Sequence, residues 1–124
     1  MQFLMIFLGG GLGSCLRFGT SLMCNKVFDA HFLVATLLVN ILGSLALGFL
    51  SGLFMAKTGF LNPNSRLFLT VGFCGGFTTF STFSMEGFEL LKNGQTTLAA
   101  GYMLLSVILC LLAVFLGYVG AKYV

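Results

Sequence analysis

The amino-acid sequence predicts an all-α membrane protein with four transmembrane helices. Only 7% of its 124 residues are charged and 58% are hydrophobic, and the mean hydropathy is +1.07. Soluble domains average about 25% charged residues and need them to cover their surface. The composition therefore excludes a soluble enzyme domain, a nucleic-acid binder and a disordered tail. The chain is therefore expected to reside in the lipid bilayer, which is its first expected partner.

Four long apolar stretches define the spans, at about 2–23, 32–56, 67–85 and 97–121. About 20 mostly apolar residues are enough to cross a hydrocarbon core, so we expect a single four-span domain with short loops. The first span is not expected to be a secretory signal, because no basic segment precedes it and Arg17 lies towards its far end. Its Gly9-x-x-x-Gly13 spacing is typical of closely packed membrane helices.

Span two carries small and polar residues at every fourth position, which places them in one stripe along the helix. The stripe consists of Thr36, Asn40, Ser44, Gly48 and Gly52. For the glycines we favour a packing seam. Asn40 is different, because an amide in lipid must find hydrogen-bond partners and its NH₂ group could donate to a passing anion.

Span three is the most informative segment. Three glycines (Gly72, Gly75 and Gly76) are followed by five hydroxyl side chains within residues 78–84. Each glycine weakens a helix by about 1 kcal/mol relative to alanine, so we expect the helix to break near the bilayer midplane. Freed carbonyls would form a cation site, and freed N–H groups and hydroxyls an anion site. The alternative is a glycine packing face with hydroxyls that bond back to their own helix.

Two phenylalanines within this segment, Phe80 and Phe83, are three residues apart and share one helix face. The edge of a phenyl ring carries positive partial charge, so edges turned toward a pore could meet an anion without a buried cation. From spacing alone, two phenylalanines are more typical of a lipid-facing or core surface.

Span four repeats the polar stripe more sparsely. Tyr102, Ser106 and Cys110 are spaced four apart on one face of an otherwise apolar helix. Tyr102 lies nearer an end, so an interfacial anchor is its alternative role.

Ionisable residues are confined to the ends of the spans. Glu86 lies just beyond span three, where we expect a hydrated carboxylate that either guards a mouth or pairs with Lys92 or Arg17. The four cysteines contain no C-x-x-C pair and His31 has no partner cluster, so neither a disulfide framework nor a zinc site is expected. An enzyme is the least expected class, because no nucleophile–base pair is evident.

The loop charges are nearly balanced across the membrane. One side holds Lys57, Arg66 and Lys122, and the other holds Lys26 and Lys92, with Arg17 added if it snorkels outward. Because Lys and Arg in short loops set orientation, such a chain could insert both ways, and two copies could pair antiparallel. The alternative is that one charge, or a translocation factor, selects a single orientation.

Three motifs resemble those of the Fluc/CrcB family of bacterial fluoride channels. They are Gly9-Gly-Gly-Leu-Gly-Ser-Cys-Leu-Arg17, Thr36-Leu-Leu-Val-Asn-Ile-Leu-Gly43 and Gly72-Phe-Cys-Gly-Gly-Phe-Thr-Thr-Phe-Ser-Thr-Phe-Ser-Met-Glu86. The resemblance covers the whole chain in length and span count. It implies an antiparallel, dual-topology homodimer in the bacterial inner membrane, with two pores that export fluoride passively, exclude chloride and relieve fluoride toxicity.

The resemblance also implies roles for individual residues. The pore-lining set would be Asn40, Phe80, Phe83, Ser81, Thr82, Tyr102 and Ser106. Arg17 and Glu86 match vestibule positions, and a structural sodium ion on the dimer axis would take backbone carbonyls of Gly75 and Thr78 from both subunits. Cys110 departs from the pattern, because the fourth-helix track often carries a hydroxyl there and a thiol is a weak donor.

Two other membrane functions compete with this interpretation. A small multidrug-type exporter is also a four-span, dual-topology dimer, but it needs a membrane-embedded carboxylate for proton coupling, and span one has none. A non-transporting scaffold would account for the glycine seams but would leave the hydroxyl-rich break without a purpose.

Overall fold

The computed structural model describes residues 1–28, 32–57, 59 and 61–124, all of its regular elements being helical. The elements are α1 (Gln2–Phe28), α2 (Phe32–Ala56), α3 (Pro63–Leu67), a π-helical segment (Phe68–Cys74), α4 (Gly75–Phe77), α5 (Phe80–Lys92), α6 (Thr96–Gly120) and a final 3₁₀ turn (Ala121–Tyr123). His31 lies outside the described residues, so the prediction about it has no structural counterpart.

Four helical segments are long and apolar enough to cross a membrane. They run over Gln2–Lys26, Leu33–Ala56, Pro63–Lys92 and Thr96–Tyr123. The number of spans agrees with the prediction. The third span is longer than the predicted 67–85, because α3 adds residues before it and α5 continues through Glu86 to Lys92.

The third span is broken near its middle, as predicted. Gly75 and Gly76 are helical, and the break follows them at Thr78 (φ −78°, ψ 159°) and Thr79 (φ −149°, ψ 117°). The intrinsic weakness of glycine in a helix is overridden here, because Gly76 sits against the backbone of α1, where a Cβ would come 2.9 Å from the Cα of Gly10. We refer to Thr78–Thr79 as the break.

Glycine seams bring the helices together in two pairs. Gly72 packs on α1, where an added Cβ would lie 3.0 Å from the Cα of Gly9, and Gly13 meets the backbone of Phe73 and Phe77 from the other side. On the opposite side of the molecule, Gly48 and Gly52 of α2 contact the backbone of α6 at Val114 and Tyr118. The predicted packing role of the glycines in spans one and two is confirmed.

Candidate functional site: the break in the third span

The centre of the site is a reciprocal pair between α2 and the break. The Asn40 side chain donates through Nδ2 to the Thr79 carbonyl (3.0 Å) and accepts through Oδ1 from the Thr79 N–H (2.7 Å). An interrupted helix in lipid must find partners for its freed backbone groups. Asn40 supplies both for Thr79, and the second N–H of its amide remains for another acceptor.

Hydroxyl groups cap the N-terminus of α5, which forms the second half of the third span. Thr79 is the N-cap of α5, and its Oγ1 accepts from the N–H of Thr82 (3.2 Å). The same hydroxyl lies 3.0 Å from Thr82 Oγ1 and 3.3 Å from Ser81 Oγ. Thr78 instead bonds back to the Cys74 carbonyl and Ser84 to the Phe80 carbonyl, each at 2.9 Å. Only part of the hydroxyl cluster therefore belongs to the break, and the rest follows the alternative of bonding back to its own helix.

Aromatic rings form a continuous row beside the break. The ring centroids of Phe80 and Phe83 are 5.5 Å apart, and those of Phe83 and Tyr102 are 5.4 Å apart. The ring planes of the two pairs are tilted by 44° and 47°, so that ring edges as well as faces are presented to neighbours. Phe83 is 9% exposed, whereas Phe80 is 78% exposed on the outside of the chain. The row thus runs from the protein interior to an open face.

Glu86 lies at the inner end of this row. Its Oε2 accepts from the Tyr102 hydroxyl and its Oε1 from the Thr36 hydroxyl, both at 2.6 Å, and the residue is 5% exposed. The expectation of a hydrated carboxylate is wrong, because α2 and α6 flank α5 at this level and cover Glu86 with neutral donors. Among the described residues, these donors take the place of the alternative partners Lys92 and Arg17, and a role at a mouth stays a prediction. Buried carboxyl groups need such partners when no cation is in contact.

Arg17 of α1 reaches the break from the other side. Its Nη1 donates to the Thr78 carbonyl at 3.4 Å. Arg17 also lines a small polar cavity of about 230 Å³, whose hydroxyl-bearing walls are Ser14, Ser21, Thr36, Thr79 and Thr82. Each face of the break is therefore bordered by a different set of side chains.

A larger, more apolar cavity of about 300 Å³ lies on the opposite face of the break. Its lining includes Asn40, Ser44, Cys74, Gly75, Thr78, Thr79, Phe80, Phe83, Ser106 and Cys110. Ser106 is 4% exposed, and its Oγ finds no hydrogen-bond partner within the described ranges. Buried hydroxyls are rarely unpaired, and the Ser106 hydroxyl is enclosed in the wall of this cavity, near Tyr102 one helical turn away.

Most residues of the predicted pore-lining set converge on two surfaces. Asn40, Phe80, Phe83 and Ser106 line the larger cavity, and Tyr102 joins them through the ring of Phe83. Thr82 lines the smaller cavity, and the exposed Ser81 contacts the break only through Thr79. The assignment of these residues to a pore stays a prediction.

Sequence reasoning did not assign a site role to two residues that organise this region. Thr79 was one hydroxyl among five, and its distinction as the N-cap with paired backbone groups appears only in the fold. Thr36 precedes Asn40 by one helical turn on the same face of α2. That spacing was the available signal, but the partner, Glu86, is 50 positions away in sequence.

Comparison with known families gives one match over most of the chain. The sequence model of the family described as "CrcB-like protein, Camphor Resistance (CrcB)" matches residues 4–118.

The chain belongs to the CrcB family.

Proteins similar to this CrcB chain align with it over nearly its whole length. It is 44% identical over 117 residues to the "Fluoride-specific ion channel FluC" of Flavobacterium psychrophilum, with 94% of each chain covered. A protein of the same description from Elusimicrobium minutum is 45% identical over 124 residues, covering 99% of this chain and 95% of the relative. A third, from Chlorobium phaeobacteroides, is 45% identical over 120 residues, covering 97% and 92%.

Proposed function

We propose that this CrcB chain forms a fluoride-selective channel for passive export of fluoride across the bacterial inner membrane, where it relieves fluoride toxicity. The family and the fluoride-specific relatives support the ion. The observation that carries the proposal is the row Phe80–Phe83–Tyr102 beside the Asn40-held break. It offers ring edges, an amide N–H and hydroxyls, and among the described residues no Lys or Arg side chain makes a hydrogen bond or cation–π contact with the row.

Neutral donors suit a conducted anion better than a buried cation does. Fluoride is small and strongly hydrated, so a pathway must replace its water with several donors. A Lys or Arg at the same place would hold the ion too tightly for it to leave, and conduction requires release. Asn40 lines the larger cavity, and its spare N–H is the donor that we assign to the ion.

We further propose that the working unit is an antiparallel homodimer. Phe80 is 78% exposed, and it borders an open cavity whose lining includes amide and hydroxyl groups. Polar backbone and side chains at mid-membrane depth need cover by protein or water rather than lipid. A second copy related by a two-fold axis would cover this face and supply the same residues in return, and the nearly balanced loop charges favour opposite insertion of the two copies.

A structural sodium ion at the dimer interface is compatible with the residues present. Backbone carbonyls freed by a broken helix are the ligand type that sodium takes in membrane proteins. Gly75 and Thr78 both border the larger cavity, and a Cβ on Gly75 would meet only the Thr70 carbonyl at 3.8 Å, so there is space beside it. The Thr78 carbonyl already accepts from Arg17, but a carbonyl oxygen has two lone pairs and could serve both.

Sodium dependence is testable apart from ion flux. The purified protein should melt at a higher temperature in sodium than in N-methylglucamine buffer of equal ionic strength. Gly75→Val should remove most of that difference, whereas Gly11→Val, at a position with open space around it, should keep it. Equal melting temperatures in the two buffers would contradict a sodium site.

The channel function itself is tested by efflux from liposomes. Vesicles that contain the purified protein and potassium fluoride should release fluoride on addition of valinomycin. Vesicles that contain the protein and potassium chloride should retain their chloride. A fluoride electrode and a chloride electrode record the two cases. Release of both ions would reject selectivity, and release of neither would leave the scaffold alternative.

A further inference from the structure

Three of the six basic side chains of this chain are located at one end of the helical bundle. The net charge is +3, from six basic and three acidic side chains. Lys57, Arg66 and Lys122 are at the end where α2 finishes and the third span begins. The other three basic residues, Arg17, Lys26 and Lys92, are matched in number by the three acidic ones, Asp29, Glu86 and Glu89. We call Lys57, Arg66 and Lys122 the basic end.

Contacts between helices link the segments that carry these three cations. Lys57 donates to the Val124 backbone carbonyl at 2.9 Å, which joins the end of α2 to the end of the chain. The Tyr118 hydroxyl lies 3.6 Å from the Met55 sulfur, a second link between α6 and α2 at this level. Arg66 enters from α3, with its guanidinium 4.8 Å from the ring centroid of Phe54 on α2.

Two of the cations rest on aromatic faces and keep their hydrogen-bonding capacity. Besides Arg66 on Phe54, the Lys122 ammonium lies 5.4 Å from the ring centroid of Tyr118. Within the described ranges the Arg66 side chain makes no hydrogen bond, and its Nε is buried without a partner. Guanidinium groups present five donors in a fork that matches a phosphate. Ring contact holds the cation in place but leaves those donors unused.

No acidic side chain among the described residues lies at this end to neutralise the cations. At the other end, Glu89 precedes Lys92 by three positions on α5, which is the spacing of an intrahelical pair. Among the described residues, one end of the bundle thus carries acidic as well as basic side chains, and the other carries basic side chains alone.

We propose that the basic end binds the phosphate group of an anionic phospholipid, with Arg66 and Lys122 as its main donors. The spans end here at Ala56, Pro63 and Tyr123, the level at which a bilayer presents its headgroups. Phe54 and Tyr118 lie beneath the cations as aromatic residues do at membrane interfaces. Charge complementarity selects an anionic headgroup over a zwitterionic one. This inference does not depend on the proposed fluoride conduction.

Lipid binding to the purified full chain tests this assignment. The probes are phosphatidylglycerol and phosphatidylcholine with the same acyl chains, and the readout is the lipid retained on the protein in native mass spectrometry. Retention of phosphatidylglycerol should exceed that of phosphatidylcholine. Arg66→Gln and Lys122→Gln should each lower it by about fivefold, the equivalent of about 1 kcal/mol per cation near the surface.

Matched variants at the opposite end of the bundle provide the control. Lys26→Gln and Lys92→Gln remove the same charge and should leave phosphatidylglycerol retention within a factor of two. Arg66→Lys keeps the charge and should retain most of the binding even if Arg66→Gln proves poorly folded. Equal losses at both ends, or equal retention of the two lipids, would overturn the proposal. Displacement of the lipid by millimolar inorganic phosphate would reassign the site to a free anion and equally overturn it.

Discussion

Asn40 and Thr79 exchange two hydrogen bonds, at 3.0 and 2.7 Å, across the point where the third span is interrupted. The amide of one helix thereby completes the backbone of another. A polar residue in mid-membrane can thus act in two ways at once, by holding the break and by offering one remaining N–H to an ion. The predictions below separate such structural roles from contact with the permeating ion.

Replacing Asn40 should reduce both stability and flux. Asn40→Ala leaves the Thr79 N–H and carbonyl unpaired, at a cost of about 1–3 kcal/mol for each buried group, and should nearly abolish fluoride efflux. Asn40→Asp keeps an acceptor for the Thr79 N–H but loses the donor and adds negative charge, so flux should fall by at least tenfold. Asn93→Ala, at an exposed helix end, is the control. Wild-type efflux from Asn40→Asp would remove the amide from the pathway.

The two phenylalanines should differ in how their replacement affects folding. Both Phe80→Ile and Phe83→Ile should cut fluoride efflux by about tenfold or more, because each removes a ring edge from the row. Phe83 packs between Phe80 and Tyr102, so its replacement should also lower the free energy of unfolding by about 1 kcal/mol. Exposed Phe80 should change the melting temperature little unless the partner subunit covers it.

Phe88→Ile is the matched control for this pair, because Phe88 is an exposed residue on the same helix, outside the row. It should leave efflux unchanged. Unchanged efflux from both Phe80→Ile and Phe83→Ile would take the aromatic row out of the conduction path.

Glu86 should show energetic coupling to Tyr102. Removing the carboxyl group in Glu86→Ala leaves two buried hydroxyls without an acceptor, and Tyr102→Phe leaves one carboxyl oxygen without a donor. A double-mutant cycle on thermal or denaturant stability should give a coupling free energy of about 1–3 kcal/mol. Glu89→Ala, exposed on the same helix, should show no coupling to Tyr102. Additive effects of the Glu86 and Tyr102 substitutions would contradict the contact.

The glycine seam between α1 and the third span should not tolerate a methyl group. Gly76→Ala and Gly72→Ala would place a Cβ about 3 Å or less from the backbone of α1, so the helices must separate and the yield of folded protein should fall sharply. Gly11→Ala, on α1 but facing open space, should fold normally. The measurement is the melting temperature of each purified variant in detergent. A wild-type melting temperature for Gly76→Ala would contradict close packing of the third span on α1.

Dual insertion predicts that both orientations coexist in cells. Fusions of a cytoplasm-active and a periplasm-active reporter to the C-terminus should each give signal, because the loop charges differ by one or none. Adding two lysines to the loop that contains Gly94 should bias the population to one orientation and lower channel activity. A single orientation of the unmodified chain would exclude an antiparallel pair.

The overall architecture was readable from the sequence because the bilayer imposes it. Four spans follow from apolar length and charge placement alone, and the i, i+4 spacing of Gly48 and Gly52 correctly indicated a packing seam. Three motifs in order were enough to predict the CrcB family. The glycine cluster correctly indicated the region of the break, but local propensity alone did not separate the helical Gly76, which packs on α1, from the extended Thr78 and Thr79.

What the chain's own order of residues determined, then, was the number of helices, their apolar faces and the presence of a weak point in the third. It did not determine which side chains complete one another. Glu86 accepts hydrogen bonds from neutral hydroxyl groups rather than from water, because Thr36 and Tyr102, 50 and 16 positions away, contact it inside the bundle. Asn40 serves Thr79 from 39 positions away. These contacts depend on how the helices pack against one another, and the sequence of one helix does not specify which residues of another helix it will meet.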